Sequence, residues 1–186
     1  MFKGSIVALI TPFKSNKLDE DCYISIIHHH LNNGTSGLVP AGTTGESPTL
    51  NHEEHHRVIE LCVQESKGKI PVIAGTGSNS TEEVINLTSY AKKVGADGAL
   101  VVTPYYNKPT QEGLVEHYRA LADNVRCPIM IYNVPGRTAS NVLPETVLKL
   151  AEVENIVGIK ESSADFDQVM SLLRDRPAGF SIMSGE

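Results

Sequence analysis

A lysine inside an apolar run is the feature of this sequence that most directly suggests chemistry. The segment "IVGIKESSAD" predicts a buried strand through Ile159 that continues into Lys160. Side chains alternate across a strand, so Gly158, Lys160 and Ser162 are expected to share one face, with Gly158 leaving space for the lysine. Burial disfavours an ammonium ion, and a lysine kept as the neutral amine attacks carbonyl groups to form a Schiff base.

The position of Lys160 is equally consistent with an unreactive role. A strand-end lysine can extend its amine to water or pair with a neighbouring carboxylate, here that of Glu161 or Asp165. Schiff-base chemistry also needs groups that move protons and groups that hold an anionic substrate. The residues at other strand ends therefore distinguish the two interpretations.

Those strand ends carry suitable side chains. In "PIMIYNVPGRT", Tyr132 ends an apolar run and can reach Lys160 from a neighbouring strand, and Arg137 can bind a carboxylate through its guanidinium. In "AGTTGE", Thr43 and Thr44 lie between glycines, where free backbone amides can also hold a carboxylate. Each residue has an ordinary structural alternative, and the case for function depends on their occurring together.

The elements that must position these residues form a repeating unit. Apolar strands alternate with amphipathic helices about every thirty residues, which predicts about seven strands and six helices with parallel strand pairing. Two architectures fit, an open doubly wound sheet and a (β/α)8 TIM barrel. Nearly every strand ends in a polar side chain, and a barrel gathers all these ends at one mouth. We therefore predict an α/β fold in which residues 1–186 form a partial (β/α)8 barrel catalytic domain, C-terminally truncated with about seven of eight strands present.

Composition and charge argue against some binding partners and favour a cytoplasmic location. The net charge of -6 and the pI near 5.6 argue against nucleic-acid and anionic-membrane binding. Three scattered cysteines without a CxxC spacing favour reduced thiols in the cytoplasm. The N-terminal segment lacks the features of a signal peptide, and no apolar stretch is long enough to cross a bilayer.

Two histidine-rich segments suggest metal binding only weakly. The run His28–His30 lies in a helical pattern and is typical of a solvated helix end. In "NHEEHH", His52 and His56 are one helical turn apart, but a third ligand in a recognisable motif is missing. We therefore predict no metal site.

Five motifs together resemble a known family. The segments "GTTGESPTL", "VIAGTGSNST", "TPYYNKPTQEGL", "YNVPGRT" and "GIKESSAD" are similar to those of the dihydrodipicolinate synthases, also called 4-hydroxy-tetrahydrodipicolinate synthases. These are barrel enzymes of the class I Schiff-base pyruvate aldolase superfamily. The resemblance runs from Ile6 to the end of the sequence, whereas family members continue through a last strand and a C-terminal helical region.

The resemblance implies a reaction and a set of residues. It implies that pyruvate forms a covalent Schiff base on Lys160, without another cofactor, and condenses with L-aspartate 4-semialdehyde in lysine and diaminopimelate biosynthesis. By their matching positions, the implied catalytic residues are Lys160, Tyr132, Thr43 and Tyr106, the last supplied by a neighbouring subunit of a homodimer or tetramer. The implied substrate-binding residues are Thr44, Arg137 and Gly185.

Some members of this family have a feedback site for L-lysine at a subunit interface. Its positions match Ser47, His52, His55, Asn79, Glu83 and Tyr105. This interpretation explains the "NHEEHH" segment better than metal binding does. Two alternatives to the synthase remain open: another pyruvate-dependent aldolase, such as an N-acetylneuraminate lyase or a sugar-acid aldolase, and an inactive truncated remnant. Thr43 together with Arg137 favours the synthase.

Overall fold

A computed structural model describes residues 2–185, which divide into two compact units. The first unit contains residues 2–76 and 87–99, and the second contains residues 77–86 and the chain from residue 100 onward. Strands and helices alternate along both, as the sequence predicts. No helix among the described residues is long and apolar enough to span a bilayer.

The first unit begins with paired parallel strands. Strand β1 (Ile6–Ala8) pairs with β4 (Gly37–Val39), and β5 (Ile73–Gly75) follows on from a parallel bridge between Leu38 and Val72. Helices α1 (Glu20–Asn32) and α2 (His52–Ser66) cover these strands. The inward faces of the helices pack with the strands in an apolar core that includes Tyr23, Ile27, Leu38, Val58, Ile59 and Cys62.

A hairpin in this unit is absent from the sequence-based prediction. Strands β2 (Phe13–Lys14) and β3 (Lys17–Leu18) pair antiparallel across Ser15 and Asn16. Both turn residues have positive φ, at 53° and 59°, as a two-residue hairpin turn of the primed type requires. The described chain therefore has nine strands, seven of them at the predicted places.

The second unit contains the strands that end in Tyr132 and Lys160. Strand β6 (Gly98–Val102) enters it from the first unit and is followed by β7 (Ile129–Asn133), β8 (Ile156–Glu161) and β9 (Ser181–Ser184), which are neighbours in that order. The pairs β7–β8 and β8–β9 are parallel. Residues such as Ile131 and Ile159 are fully buried and account for the apolar character of these segments.

Helices connect these strands. Helix α3 (Thr81–Val94) spans the two units, and α4 (Gln111–Asn124), α5 (Pro135–Thr138), α6 (Pro144–Leu150) and α7 (Phe166–Asp175) belong to the second. Helix α6 begins at Pro144, whose fixed φ suits the first turn of a helix. Helix α5 occupies "PGRT" and is separated from the end of β7 by one residue.

Helix α7 carries apolar side chains on its solvent side. Phe166 and Met170 are 81% and 62% exposed, and with Leu173 they form an apolar stripe at helical spacing. A groove of about 300 Å³ runs beside this stripe toward Ile182 of β9. The polar cap of α7 is nevertheless complete, because Asp165 accepts hydrogen bonds from the backbone amides of Asp167 and Gln168.

We expect the start of α2 to contribute measurably to stability. Asn51 accepts a hydrogen bond from the Glu54 amide at 2.9 Å, and Glu54 accepts one from the Asn51 amide at 3.0 Å. The Asn51→Ala substitution removes this capping box and should lower the free energy of unfolding by about 1 kcal/mol, measured by urea denaturation. Asn51→Asp is the matched control and should keep the wild-type midpoint. Equal midpoints for the alanine variant and the wild type would contradict this account of the helix start.

Candidate functional site

Tyr132 and Lys160 lie side by side at the ends of β7 and β8. The two residues are direct partners in the parallel register of these strands. The Nζ atom of Lys160 lies 4.4 Å from the centre of the Tyr132 ring. The predicted approach of the phenol-bearing residue to the lysine is therefore confirmed, and the amine rests over an aromatic face.

Burial shifts Lys160 toward its neutral form relative to an exposed lysine. Its side chain is half-buried, and Tyr132 is 7% exposed. Burial lowers the pKa of Lys160, because the ammonium loses hydration that a neutral amine does not need. A lysine of this kind has a larger nucleophilic fraction at a given pH than a fully hydrated one.

Gly185 closes the same site from β9. Its backbone amide donates to the Glu161 carbonyl at 2.9 Å, which extends the β8–β9 pairing by one residue. A Cβ atom at this position would lie 3.0 Å from Cε of Lys160 and would collide with Oγ of Ser162. The site therefore needs a residue without a side chain at position 185. The Ser162 hydroxyl itself is buried and makes no hydrogen bond within residues 2–185.

Gly158 serves a different purpose from the one expected from the sequence. A Cβ atom there would lie 2.5 Å from the backbone oxygen of Ser181 on β9. The expectation that Gly158 leaves space for the lysine is thus wrong. The glycine instead permits β8 and β9 to approach closely beneath the site.

Glu161 does not face Lys160, although an ion pair between the two was the unreactive alternative that the sequence offered. Alternation along β8 directs it to the opposite face, where it is 5% exposed. Its carboxylate accepts hydrogen bonds from Asn133, Ser163 and Gln168. Sequence reasoning missed these hydrogen bonds. The polar residues Asn133, directly after Tyr132, and Glu161, directly after Lys160, were a visible signal.

The other proposed site residues of the second unit lie on exposed segments. Arg137 is exposed in the short helix α5, which directly follows β7 through Val134. Tyr106 is 89% exposed and has a positive φ of 74°, a conformation that is unusual for a residue with a side chain. Both are therefore accessible to a ligand or a second molecule.

Thr43 and Thr44 belong to a tight turn of the first unit. Ala41 and Glu46 flank them with positive φ values of 52° and 56°. The turn is closed by a hydrogen bond from the Glu46 amide to the Thr43 carbonyl at 3.1 Å. Both threonines are exposed, so their hydroxyl groups face away from the core.

The residues of the predicted lysine site are divided between the units. In the first unit, Ser47 begins a short 3-10 turn, His52 is the first residue of α2, and His55 is buried one turn further. The remaining three residues are in the second unit. There the Ser78 hydroxyl donates to Glu83, the carbonyl of Asn79 accepts from the Asn107 amide, and Tyr105 is half-buried.

Histidine, cysteine, aspartate and glutamate side chains form no group of three suited to a metal ion within residues 2–185. His52 and His56 are accordingly not part of such a group. His56 stacks on Tyr90 instead, with ring centres 3.7 Å apart.

Comparison with known proteins gives concordant matches. The model of the dihydrodipicolinate synthetase family matches residues 1–186. The 4-hydroxy-tetrahydrodipicolinate synthase of Pelagibacter ubique is 63% identical over 169 residues, which are 91% of this chain and 58% of that protein. The synthase of Syntrophus aciditrophicus is 56% identical over all 186 residues and 64% of its own length. The crystal structure of dihydrodipicolinate synthase from Aquifex aeolicus, 52% identical, superposes with a TM-score of 0.98 over 100% of this chain and 64% of that one. The chain thus spans less than two thirds of the length of these relatives.

The lowered pKa of Lys160 can be measured directly. In competitive labelling with an amine reagent across pH, Lys160 should reach half-maximal reactivity below the ordinary lysine value of about 10.4, because burial destabilises its ammonium form. Mass spectrometry of the digested protein gives the labelling at each position, and exposed Lys17 is the internal reference for reagent loss. A midpoint at or above the ordinary value would contradict the described environment of Lys160.

Proposed function

The chain belongs to the dihydrodipicolinate synthetase family, and from this membership we propose that it carries the Schiff-base centre of a 4-hydroxy-tetrahydrodipicolinate synthase, a lyase. The observation that carries the proposal is the half-buried Lys160 amine over the Tyr132 ring. A carbonyl-attacking amine needs this combination of lowered pKa and adjacent proton-transfer group. No other cofactor is required for the proposed chemistry.

The fold that we infer for this function is a (β/α)8 barrel, of which the chain supplies seven strands. Support comes from the parallel pairs β7–β8 and β8–β9, the strand–helix alternation and the similarity to the Aquifex aeolicus enzyme. Residues at strand ends are brought together in such a barrel. This explains why polar residues at separate strand ends are assigned to one reaction.

The proposed reaction begins at Lys160. Its neutral amine attacks the ketone carbon of pyruvate, and loss of one water gives a protonated imine. Loss of a methyl proton from this imine gives an enamine, whose carbon bonds to the aldehyde carbon of L-aspartate 4-semialdehyde. The amino group of the second substrate then displaces the lysine, which closes the ring and frees the enzyme.

Proton transfer in these steps is assigned to hydroxyl groups. Tyr132 is the proposed general acid and base, because it is the hydroxyl-bearing residue beside the lysine amine, with its ring centre 4.4 Å from Nζ. Thr43 and Tyr106 are the proposed partners in a proton relay. The 89% exposure of Tyr106 supports a role across a subunit interface, where the partner subunit's Tyr106 completes the site of a homodimer or tetramer.

Carboxylate binding is assigned to three further residues. Thr44 and the Gly185 backbone are proposed to contact the carboxylate of pyruvate, since Gly185 lies against the lysine side chain. Arg137, which is exposed just beyond β7, is proposed to bind the carboxylate of the semialdehyde. The dihydrodipicolinate synthase of Acinetobacter baumannii, 46% identical, has been crystallised in complex with pyruvate, which supports the choice of first substrate.

The synthase is favoured over the other two interpretations. The matched relatives at 63% and 56% identity are both named as this synthase rather than as sugar-acid aldolases or N-acetylneuraminate lyases. A half-buried lysine with a lowered pKa also favours a functional site over an inactive remnant. We infer a reducing cytoplasmic compartment, which the three scattered cysteines of the sequence fit.

Borohydride trapping tests the proposed centre. Incubation with pyruvate and sodium borohydride should add one reduced pyruvate imine to the chain, located at Lys160 by peptide mass spectrometry. Lys160→Gln should abolish the adduct, whereas Lys149→Gln, which changes an exposed lysine of α6, should retain it. Failure of the wild-type chain to form an adduct would refute the proposal. Turnover with aspartate semialdehyde, compared with sugar-acid aldehydes, distinguishes the synthase from the other aldolases.

Regulation by L-lysine is a second proposal that rests on the same membership. The enzyme of Cyanidioschyzon merolae, 43% identical, has been crystallised with lysine bound. In this chain Glu83, as a carboxylate, and Asn79, as an amide, are suited to an ammonium group. The proposed set is completed by Ser47, His52, His55 and Tyr105.

Calorimetry with L-lysine tests this site. We expect millimolar lysine to bind the wild type and to inhibit turnover of the full-length enzyme, and Glu83→Gln to weaken binding about tenfold by removing the ion pair. Glu82→Gln is the matched control, since this exposed neighbour should leave the affinity unchanged. No inhibition at millimolar lysine would exclude the regulatory site.

A further inference from the structure

A buried cluster of one carboxylate and three amides lies behind the reactive pair. Its members, here called the Glu161 cluster, are Asn133, Asn141, Glu161 and Gln168. Asn133 is 0% exposed, Glu161 5% and Gln168 6%. All four belong to the second unit. Burying a charged side chain this deeply lowers the free energy of unfolding unless the side chain is fully hydrogen-bonded. The presence of Glu161 here therefore needs a physical explanation.

The Glu161 carboxylate is saturated by neutral donors. Nδ2 of Asn133 lies 3.1 Å from each of its oxygens, Nε2 of Gln168 donates at 3.0 Å, and the Ser163 amide donates at 2.7 Å. Glu161 accepts every one of these bonds, as an ionised carboxylate must. Hydrogen bonds to an ionised acceptor are shorter and stronger than those between neutral groups.

The amides are oriented by one another as well as by the carboxylate. Asn133 donates to Oδ1 of Asn141 at 2.8 Å, and Nδ2 of Asn141 donates to Oε1 of Gln168 at 3.1 Å. The backbone amide of Val142 donates to Oδ1 of Asn133 at 3.2 Å. Rotation of one amide would therefore break bonds of its neighbours, and the cluster has a single consistent orientation.

The cluster joins the ends of β7 and β8 beside Tyr132 and Lys160, and the Glu161 backbone also contacts the residue that follows β9. Asn133 and Glu161 directly follow these two residues and are partners in the same register. The Ser162 amide donates to the Asn133 carbonyl at 2.8 Å, and the Gly185 amide donates to the Glu161 carbonyl at 2.9 Å. Gln168 then ties these strand ends to helix α7. The direction of each reactive side chain thus depends on backbone that the cluster holds.

We propose that Glu161 is a positioning residue, which holds the ends of β7 and β8 so that the Lys160 amine stays over the Tyr132 ring. The link between this role and a reaction step rests on the proposed function. The claim that Glu161 holds the Lys160 amine over the Tyr132 ring does not. Apolar side chains could join two strands with less loss of hydration. A saturated carboxylate instead fixes direction, because each of its hydrogen bonds has a preferred angle.

Two substitutions that break the cluster differ in their effect on charge. Glu161→Gln removes the negative charge and sets an amide group against the donors of Asn133, Gln168 or Ser163. Gln168→Met keeps the charge and the approximate side-chain volume, but removes the link between Glu161, Asn141 and α7. Asn51→Ala, in the first unit, is the control for a modest loss of stability without a change in the cluster.

The first measurement is the maximal rate of imine trapping with pyruvate and borohydride at increasing pyruvate concentration. Both cluster variants should reduce this maximal rate by on the order of tenfold to a hundredfold, with little change in the half-saturating pyruvate concentration. Asn51→Ala should match the wild type. A loss that appears equally in the control would reflect stability alone and would overturn the proposal.

The second measurement is the pH midpoint of Lys160 labelling, which needs no substrate. If the cluster holds Lys160 in its half-buried place, both variants release the amine to water and raise the midpoint. If Glu161 acts only through its charge, Glu161→Gln lowers the midpoint, because an ammonium loses a stabilising anion, and Gln168→Met leaves it unchanged. A lowered midpoint in Glu161→Gln, or unchanged midpoints in both folded variants, would overturn the proposal.

The two measurements separate this inference from the proposed function. A wild-type chain that forms no imine refutes the Schiff-base centre, and the labelling midpoint still decides whether Glu161 positions Lys160. A wild-type chain that forms the imine at the same rate as both variants supports the centre and refutes the positioning role. Far-UV circular dichroism of each variant establishes that it is folded, and Gln168→Met is the milder change should Glu161→Gln unfold.

Discussion

The register between β7 and β8 is the constraint on which the proposed centre depends. Only when Tyr132 lies opposite Lys160 can the amine rest 4.4 Å from the ring centre. A slip of one residue would exchange the faces of β8 and put Glu161 where the lysine now lies. The apolar residues before Lys160 oppose such a slip, because Ile159 would lose its fully buried position. The core of this unit therefore sets the geometry of its chemistry.

Lys160 and Glu161, consecutive ionisable residues of β8, lie in contrasting environments. Lys160 is half-buried over an aromatic ring, and loss of hydration lowers its pKa. Glu161, on the other face, is almost fully buried but receives four hydrogen bonds. The lysine is thereby made easy to deprotonate, while the carboxylate is stabilised in a fixed position. The first environment suits the proposed reaction of Lys160, and the second suits the proposed positioning role of Glu161.

Glycine at two positions lets β8 and β9 approach each other closely at the site. Gly158 allows the backbone of β9 to lie against β8, and Gly185 leaves room for the lysine stem and the Ser162 hydroxyl. Neither glycine is needed for a turn, since neither has a positive φ. Both are required by contacts between strands that are distant in sequence. These contacts explain how Lys160, in the proposed centre, can lie close to the point where β8 pairs with β9.

The sequence by itself determined most of the strands and helices and the proposed pair, Lys160 and Tyr132. Apolar periodicity located the seven parallel-type strands, and the alternation along β8 put Lys160 on the face that Tyr132 reaches, because both signals are local. Tertiary structure decided what local patterns do not contain. The direction of the Glu161 carboxylate, its amide partners at Asn133 and Gln168, and the close strand contact at Gly158 all arise from contacts between different strands and helices. Hydrogen-bond partners and steric gaps depend on distances between separate elements, and these distances exist only once the elements have packed.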